Sequence, residues 1–377
     1  MARQTERHPL ISETPGTQRN VIFHRYGAGT PGKKTYIQAA LHADETPAMA
    51  AAHHLLQRLE EADKKGLIKG EIVVVPYANP IGLDQFSSDV LLGRLHTGGE
   101  GNFNRSWYDL TEMTRDRLKT RLGKDAEENV SIIRSAMQEA INELVPVSEF
   151  DSLRKLLVGE ASRADFVFDL HCDDDSLPYL YISSHNWPDC QDFAADFGSY
   201  AVMMAENSGG NSFDEVYTRP WAELGRLYPD HPIPQATMSM TVELRGRPDV
   251  SDEIGAKDAA ALFNFLVRRG LVEGSAPPLP KALCDATGTN ACEIITSPGA
   301  GFVTYCLELG SIVKKGQQIA TLIDPTAEDP TNARTPIYAG TDGIFFTAKQ
   351  HKAVKPGMVV AKVAGTVALK EGLLLED

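Results

Sequence analysis

Two histidines and two glutamates in this chain stand where metal chemistry could use them. In "LHADETP", His42 and Glu45 lie three residues apart, at the end of an apolar run and just ahead of a helix start. This is not H-E-x-x-H, whose histidines share one helical face, but so short a turn can fold an imidazole and a carboxylate onto one ion. In "ADFVFDLHCDDD" an apolar strand turns abruptly polar and leaves His171 at its end. Two histidines and one carboxylate form a common catalytic zinc set, with a fourth position left for water. In "MSMTVELRG", Glu243 falls late in an apolar strand, where a lone carboxylate is costly without a partner or a task. Beside a metal it could take a proton from water and later deliver it to a leaving amine. The competing reading pairs Glu243 with Arg245, which strict strand alternation places on the same face.

A fourth stretch, "NPIGLDQFSSDVLLGRLHTGGEGNFNRSW", is a long irregular segment after a buried strand, and such segments are usually functional or mobile. Asn104 and Arg105 could bind a substrate carboxylate, the guanidinium giving a two-pronged contact. Arg94 could polarise a scissile carbonyl. Other candidates read as scaffold. His53 and His54 fall well inside a helix, and Asp173, Asp174 and Asp175 read as a solvated loop. Gly27, Gly29 and Gly32 match G-x-G-x-x-G, but they precede a strand and enclose Pro31, so they form a turn and not a dinucleotide loop.

The elements that must carry these residues are strands alternating with helices. "KTYIQAAL", "GEIVVVPYANP", "DFVFDLH", "LPYLYISS" and "MSMTVELRG" read as strands. Helical patterns run from Ala48 to Lys65, with Thr46 as N-cap and Pro47 as first helical residue, and through "DAEENVSIIRSAMQEAINEL", "SEFDSLRKLLVGEASRA" and "SDEIGAKDAAALFNFLVRRGLVEG". Such alternation predicts an α/β unit with a parallel or mixed sheet. In open α/β sheets ligands collect at the carboxyl ends of strands, where His42 and His171 both fall.

After the proline-rich "GSAPPLPKAL" the chain becomes β-like and repeats itself. Residues 301–324 and 343–365 each have a leading glycine (Gly301, Gly343), a V-K-x-G turn and an apolar run. Two copies of one strand–turn–strand unit predict a small pseudo-symmetric β-sandwich. The pattern resembles biotinyl/lipoyl half-barrels, yet the segment between the halves has no lysine to carry a cofactor. A structural or homo-oligomerisation role is expected. The division is therefore residues 1–275 as a catalytic domain and 285–377 as an all-β barrel-sandwich domain.

Composition narrows the classes. A formal charge of −14 argues against nucleic acid, whose phosphates call for clustered Lys and Arg. No apolar run approaches a membrane span, and the N-terminus lacks the apolar core of a secretory signal. The five cysteines contain no CxxC pair and read as buried thiols of a cytoplasmic protein.

The ordered set H-x-x-E, N-P-x-G, N-F-N-R, D-L-H and T-V-E-L, spread over roughly residues 20–270, resembles the succinylglutamate desuccinylase/aspartoacylase family of zinc hydrolases, relatives of the zinc carboxypeptidases. The resemblance implies a carboxypeptidase-like α/β fold with one zinc ion per chain, held by His42, Glu45 and His171. It implies Glu243 as general acid/base, Asn104 and Arg105 as the grip on the substrate carboxylate, and Arg94 as the match for the carbonyl-polarising arginine. The expected activity is hydrolysis of the amide bond of an N-acyl amino acid or similar small N-acylated carboxylate. A zinc carboxypeptidase acting on peptides and a non-catalytic zinc-binding protein are the alternatives. The loop "SGGNSFDEVYTRPWAEL" reads either as a lining of the substrate pocket, with Asp214 and Glu215 suiting a cationic group, or as plain surface.

Overall fold

The computed structural model describes residues 3–369. Its centre is a nine-stranded mixed sheet. In spatial order the strands are Gln4–Pro9, Asn20–Tyr26, Glu71–Val75, Lys34–Ala39, Phe166–Asp173, Met238–Gly246, Tyr179–Ile182, Ala201–Met204 and Ala286–Gly288. The three in the middle, Lys34–Ala39, Phe166–Asp173 and Met238–Gly246, run parallel, so their carboxyl ends share one edge. These strands are buried almost throughout, as expected where both faces are covered.

Each face of the sheet carries its own core. On one side helix Thr46–Lys64 buries Pro47, Ala48, Ala51, Ala52, Leu55, Leu59 and Ala62, spaced by three and four residues on one stripe. It packs against helix Asp252–Arg268 closely enough that a Cβ on Gly255 would lie 3.1 Å from the Ala50 backbone. The other side is covered by helices Leu110–Leu118, Ala126–Glu143, Glu149–Ala161 and Glu215–Leu227 around Ile133, Leu157 and Trp221.

Beyond residue 291 the chain forms two further sheets. The two repeats fold alike, as Gly301–Tyr305, Ile312–Val313 and Gln318–Ile323, then Gly343–Ala348, Ala353–Val354 and Val359–Gly365. They pair crosswise: Gly301 registers with Val354 and Ile312 with Ile344. The two halves of the chain also exchange strands. Asp175–Ser176 joins a C-terminal sheet through Gly343–Ala348, and Ala286–Gly288 joins the nine-stranded one. Among the described residues no helix is long and apolar enough to cross a membrane. None of the five cysteines is in a disulfide, but only Cys172, Cys190 and Cys292 are buried; Cys306 is exposed, contrary to the expectation of buried thiols throughout.

Candidate metal centre

The parallel strand Lys34–Ala39 ends at Ala40, whose φ of 58° turns the chain sharply into Leu41 and His42. Helix Thr46–Lys64 begins directly afterwards, with Glu45 as its cap residue, one position earlier than the sequence predicts. The Glu45 side chain makes no capping bond, because it is turned toward the histidines. Its charge still lies at the positive end of the helix dipole.

His42, Glu45 and His171 come together as predicted, with one potential ligand atom from each within 4.8 Å of the others. The two carboxylate oxygens are divided between the imidazoles: His42 Nδ1 is 3.0 Å from Glu45 Oε1 and His171 Nδ1 is 2.8 Å from Glu45 Oε2. The far ring nitrogens are held from behind, His42 Nε2 at 2.7 Å from Asn102 Oδ1 and His171 Nε2 at 2.8 Å from Asp169 Oδ2. Asp169 is anchored in turn by Gln38 Nε2 at 2.9 Å, and Gln38 by the Tyr36 hydroxyl. Metal-binding histidines are generally oriented by an acceptor on the other nitrogen, and both rings meet that requirement. With exposures of 3%, 1% and 2%, the three residues are out of bulk solvent.

The electrostatics of the cluster suit a cation. Burial opposes ionisation of Glu45, yet His42 and His171 hold its carboxyl well below the usual carboxylate range. Burial also opposes charge on His171, but Asp169 and Glu45 raise its pKa well above that of a free imidazole. His42, with only Glu45 to offset its burial, is lowered. Two buried carboxylates thus draw positive charge onto His171, and a divalent ion would supply that charge instead.

Glu243 lies beside His171, its direct register partner on the neighbouring strand. Its Oε2 is buried with no hydrogen-bond partner among the described residues. Burial first and the nearby Glu45 second push its pKa up to about 8, against the pull of His171. The competing ion pair does not form. The ladder shifts register between Glu243 and Gly246, Arg245 takes a φ of 63°, and its guanidinium turns to Asp258. The bulge defeats the alternation on which that reading rested.

The remaining predicted residues ring the same cavity of about 410 Å³. Arg94 reaches it with Nη1 3.4 Å from His42 Nδ1 and 3.6 Å from Glu45 Oε1. Arg105 lines the cavity and donates to the Asn104 carbonyl at 2.9 Å. Asn104 is more committed than expected. Its Oδ1 accepts from the Phe213 amide at 2.7 Å and its Nδ2 lies 3.2 Å from His171 Nε2, so it supports the ligand set as well as facing the cavity. Asp214 and Glu215 belong to no surface loop: both are buried and line the cavity. Burial and the adjacent Glu215 raise Asp214 to about 7. Glu215 Oε2 and the Ser208 hydroxyl have no partner among the described residues. His53 and His54 lie elsewhere, against Gln57 and Asp252, as scaffold.

Sequence reasoning missed two groups. Asn102 and Asp169 stand behind the histidines; the repeated asparagine of "NFNRS" and the acid two residues before His171 were the available signals. The second group is the cavity wall made by Ile294, Thr347, Lys349, Val360 and Lys362 of the C-terminal sheets, for which no local motif exists. The aspartates after His171, read as a solvated loop, form ion pairs with that wall: Asp173 with Lys362 at 2.6 Å, Asp174 with Lys349, and Asp175 with Lys352 at 3.8 Å.

A mixed α/β sheet thus carries, at its carboxyl edge, a His–Glu–His cluster compatible with a metal site. Residues 31–268 match the model of the succinylglutamate desuccinylase/aspartoacylase catalytic domain, and the chain belongs to that family. Its fold is shared by a protein assigned to this group from Shewanella frigidimarina NCIMB 400, at 22% identity and a TM-score of 0.83 over 96% of this chain and 97% of that one. A family protein from Shewanella amazonensis SB2B gives 22% identity and a TM-score of 0.82, covering 97% and 98%. The product-bound ectoine utilization protein EutE (DoeB) of Ruegeria pomeroyi gives 16% and 0.69, covering 97% and 96%. No curated protein sequence matches the chain.

Proposed function

We propose that this protein is a zinc-dependent deacylase that hydrolyses the amide bond of an N-acyl amino acid or a related small N-acylated carboxylate. The observation that carries this reading is the division of the Glu45 carboxylate between two Nδ1 atoms, with the unpartnered Glu243 Oε2 on the adjoining strand. His42, Glu45 and His171 would hold one zinc ion, which as a Lewis acid makes water nucleophilic near neutral pH and polarises a carbonyl. Glu243 accepts the proton of the attacking water at Oε2 and delivers it to the leaving amine, so one carboxylate serves first as base and then as acid. Arg94 is placed to donate to the carbonyl oxygen as negative charge gathers there. Arg105 pairs with the substrate carboxylate, and Asn104 steadies both that contact and His171. Asp214 and Glu215 favour a substrate whose remaining portion donates hydrogen bonds or carries positive charge. Residues 1–275 form the catalytic part and 285–377 a second β domain in this reading.

The test combines metal content with turnover on one sample. Protein expressed with zinc should hold one equivalent and release free amino acid from a panel of N-acyl amino acids faster than from dipeptides. Faster cleavage of dipeptides would move the assignment to a peptidase. Stoichiometric metal without turnover of either class would leave a zinc-binding protein.

A further inference from the structure

Three segments carry the site, and one side chain on the third reaches both of the others. Arg247 lies four residues after Glu243, beyond the bulge. Its Nε is 3.1 Å from Oδ2 of Asp44, which sits between His42 and Glu45; the pair is an ionic contact without hydrogen-bond alignment. Its Nη1 is 2.8 Å from Oδ1 of Asp174, three residues after His171. Its backbone N–H donates to the carbonyls of Asp173 and Asp174 at 3.1 and 3.2 Å. The approach depends on Gly246, where an added Cβ would lie 3.0 Å from both the Asp174 carbonyl oxygen and the Asp175 Cα. The other carboxylate oxygen of Asp174 receives Lys349 from the C-terminal sheets.

We propose that Arg247 is the positioning residue of the metal centre: its planar fork fixes the His42–Glu45 turn against the His171 and Glu243 strand ends, and through Asp174 it transmits the grip of the C-terminal sheets. Arginine suits this task better than lysine because one planar group reaches two carboxylates at once, Asp174 by a hydrogen bond and Asp44 by charge. Arg247 makes no hydrogen bond or ion pair to His42, Glu45, His171 or Glu243 Oε2, although it lines the cavity and its charge is felt at Glu45; the contacts it does make bear on ligand spacing. The inference rests on the metallohydrolase reading, and the experiment separates the two.

Zinc affinity is measured by competition with a chromophoric chelator for the full-length wild type, Arg247→Met and Arg247→Lys, alongside kcat and KM. Outer residues that orient metal ligands typically alter affinity by about 10–100-fold, and Arg247→Met is expected near the lower end, about tenfold weaker. Its kcat should fall while KM stays within about twofold, and Arg247→Lys should recover part of both losses. A residue needed only for folding would lower the melting temperature and leave zinc affinity and kcat unchanged; that result overturns the proposal. Should Arg247→Met not fold, Asp44→Asn removes the same link from the other side and is expected to weaken zinc in the same direction; unchanged affinity there also overturns it. Wild-type protein that holds no zinc would sink the metallohydrolase reading itself, whereas tight wild-type zinc with an indifferent Arg247→Met sinks only this inference.

Discussion

Both ring nitrogens of His42 and of His171 and both carboxylate oxygens of Glu45 are engaged by other side chains. On the opposite side of the cavity, Thr347, Val360 and Ala361 present a largely apolar surface. That surface is attached at its margin by lysine–aspartate pairs of graded exposure, from about 20% for Lys362 and Asp173 to about 45% for Lys352 and Asp175. The first wall is a network in which removing one member leaves others buried and unsatisfied. The second is a surface whose shape can vary while its anchors persist. Chemistry is therefore expected to fail on changes to the first wall, and selectivity or docking on changes to the second.

The sharpest way to break this contrast is Glu243→Gln. Under the proposed mechanism the variant would keep the shape and the zinc but lack the proton acceptor, and activity should fall by about 10²–10⁴-fold. Full activity with zinc retained would remove Glu243 from the chemistry. Next in size is Asp169→Asn, which replaces the acceptor behind His171 Nε2 with a neutral amide. Zinc should bind about 10–100-fold more weakly, as a chelator competition would show. An unchanged affinity would mean that Asp169 holds the strand and not the ring.

The first wall was legible in the sequence because its logic is one of residue type. A histidine or glutamate late in an apolar strand is costly without a purpose, and His171 and Glu243 stood out on that ground; His42 and Glu45 stood out by the short turn that can fold both onto one ion. The strand Met238–Gly246 was readable to the residue. Legibility failed where geometry departs from the regular period. The bulge at Arg245 separates two residues that alternation puts together, and the helix cap position falls on Glu45, whose side chain turns to the histidines and makes no capping bond. The second wall was not legible at all. Lys349, Lys352 and Lys362 meet aspartates more than 170 residues away, and no local pattern encodes such a partnership. The repeat itself was visible, but not that one of its faces closes the cavity.

Within the second wall the anchors should differ in weight. Lys362→Met strips a partly buried carboxylate of its charged donor and is expected to cost about 1–3 kcal/mol of stability, read by denaturant unfolding. Lys352→Ala removes a longer and more exposed pair and should cost no more than about 0.5 kcal/mol. Equal effects would mean that exposure does not rank these contacts.

A separate expectation concerns pH in the metal-free protein. Burial raises Glu243 to about 8 and Asp214 to about 7, well above ordinary carboxyl values. Between about pH 4 and 8 the folded chain therefore keeps protons that the unfolded chain has lost. Stability from these two groups is complete below the unfolded values and is lost as pH rises through the folded ones. Asp173 acts in the opposite sense at the acid end. Despite its burial, Lys362 holds it near about 2, so its contribution is present above the usual aspartate range and disappears as pH falls. Chelator-treated protein should thus melt at progressively lower temperature from pH 5 to 8.5, and Glu243→Gln should flatten that decline while leaving the Asp214 share. Zinc should flatten it as well, because a cation at His42, Glu45 and His171 favours the ionised Glu243 and returns its pKa toward the ordinary range. Parallel declines in wild type and Glu243→Gln would show that Glu243 is solvated in the metal-free state, and the first wall would then lose its claim to being fully desolvated.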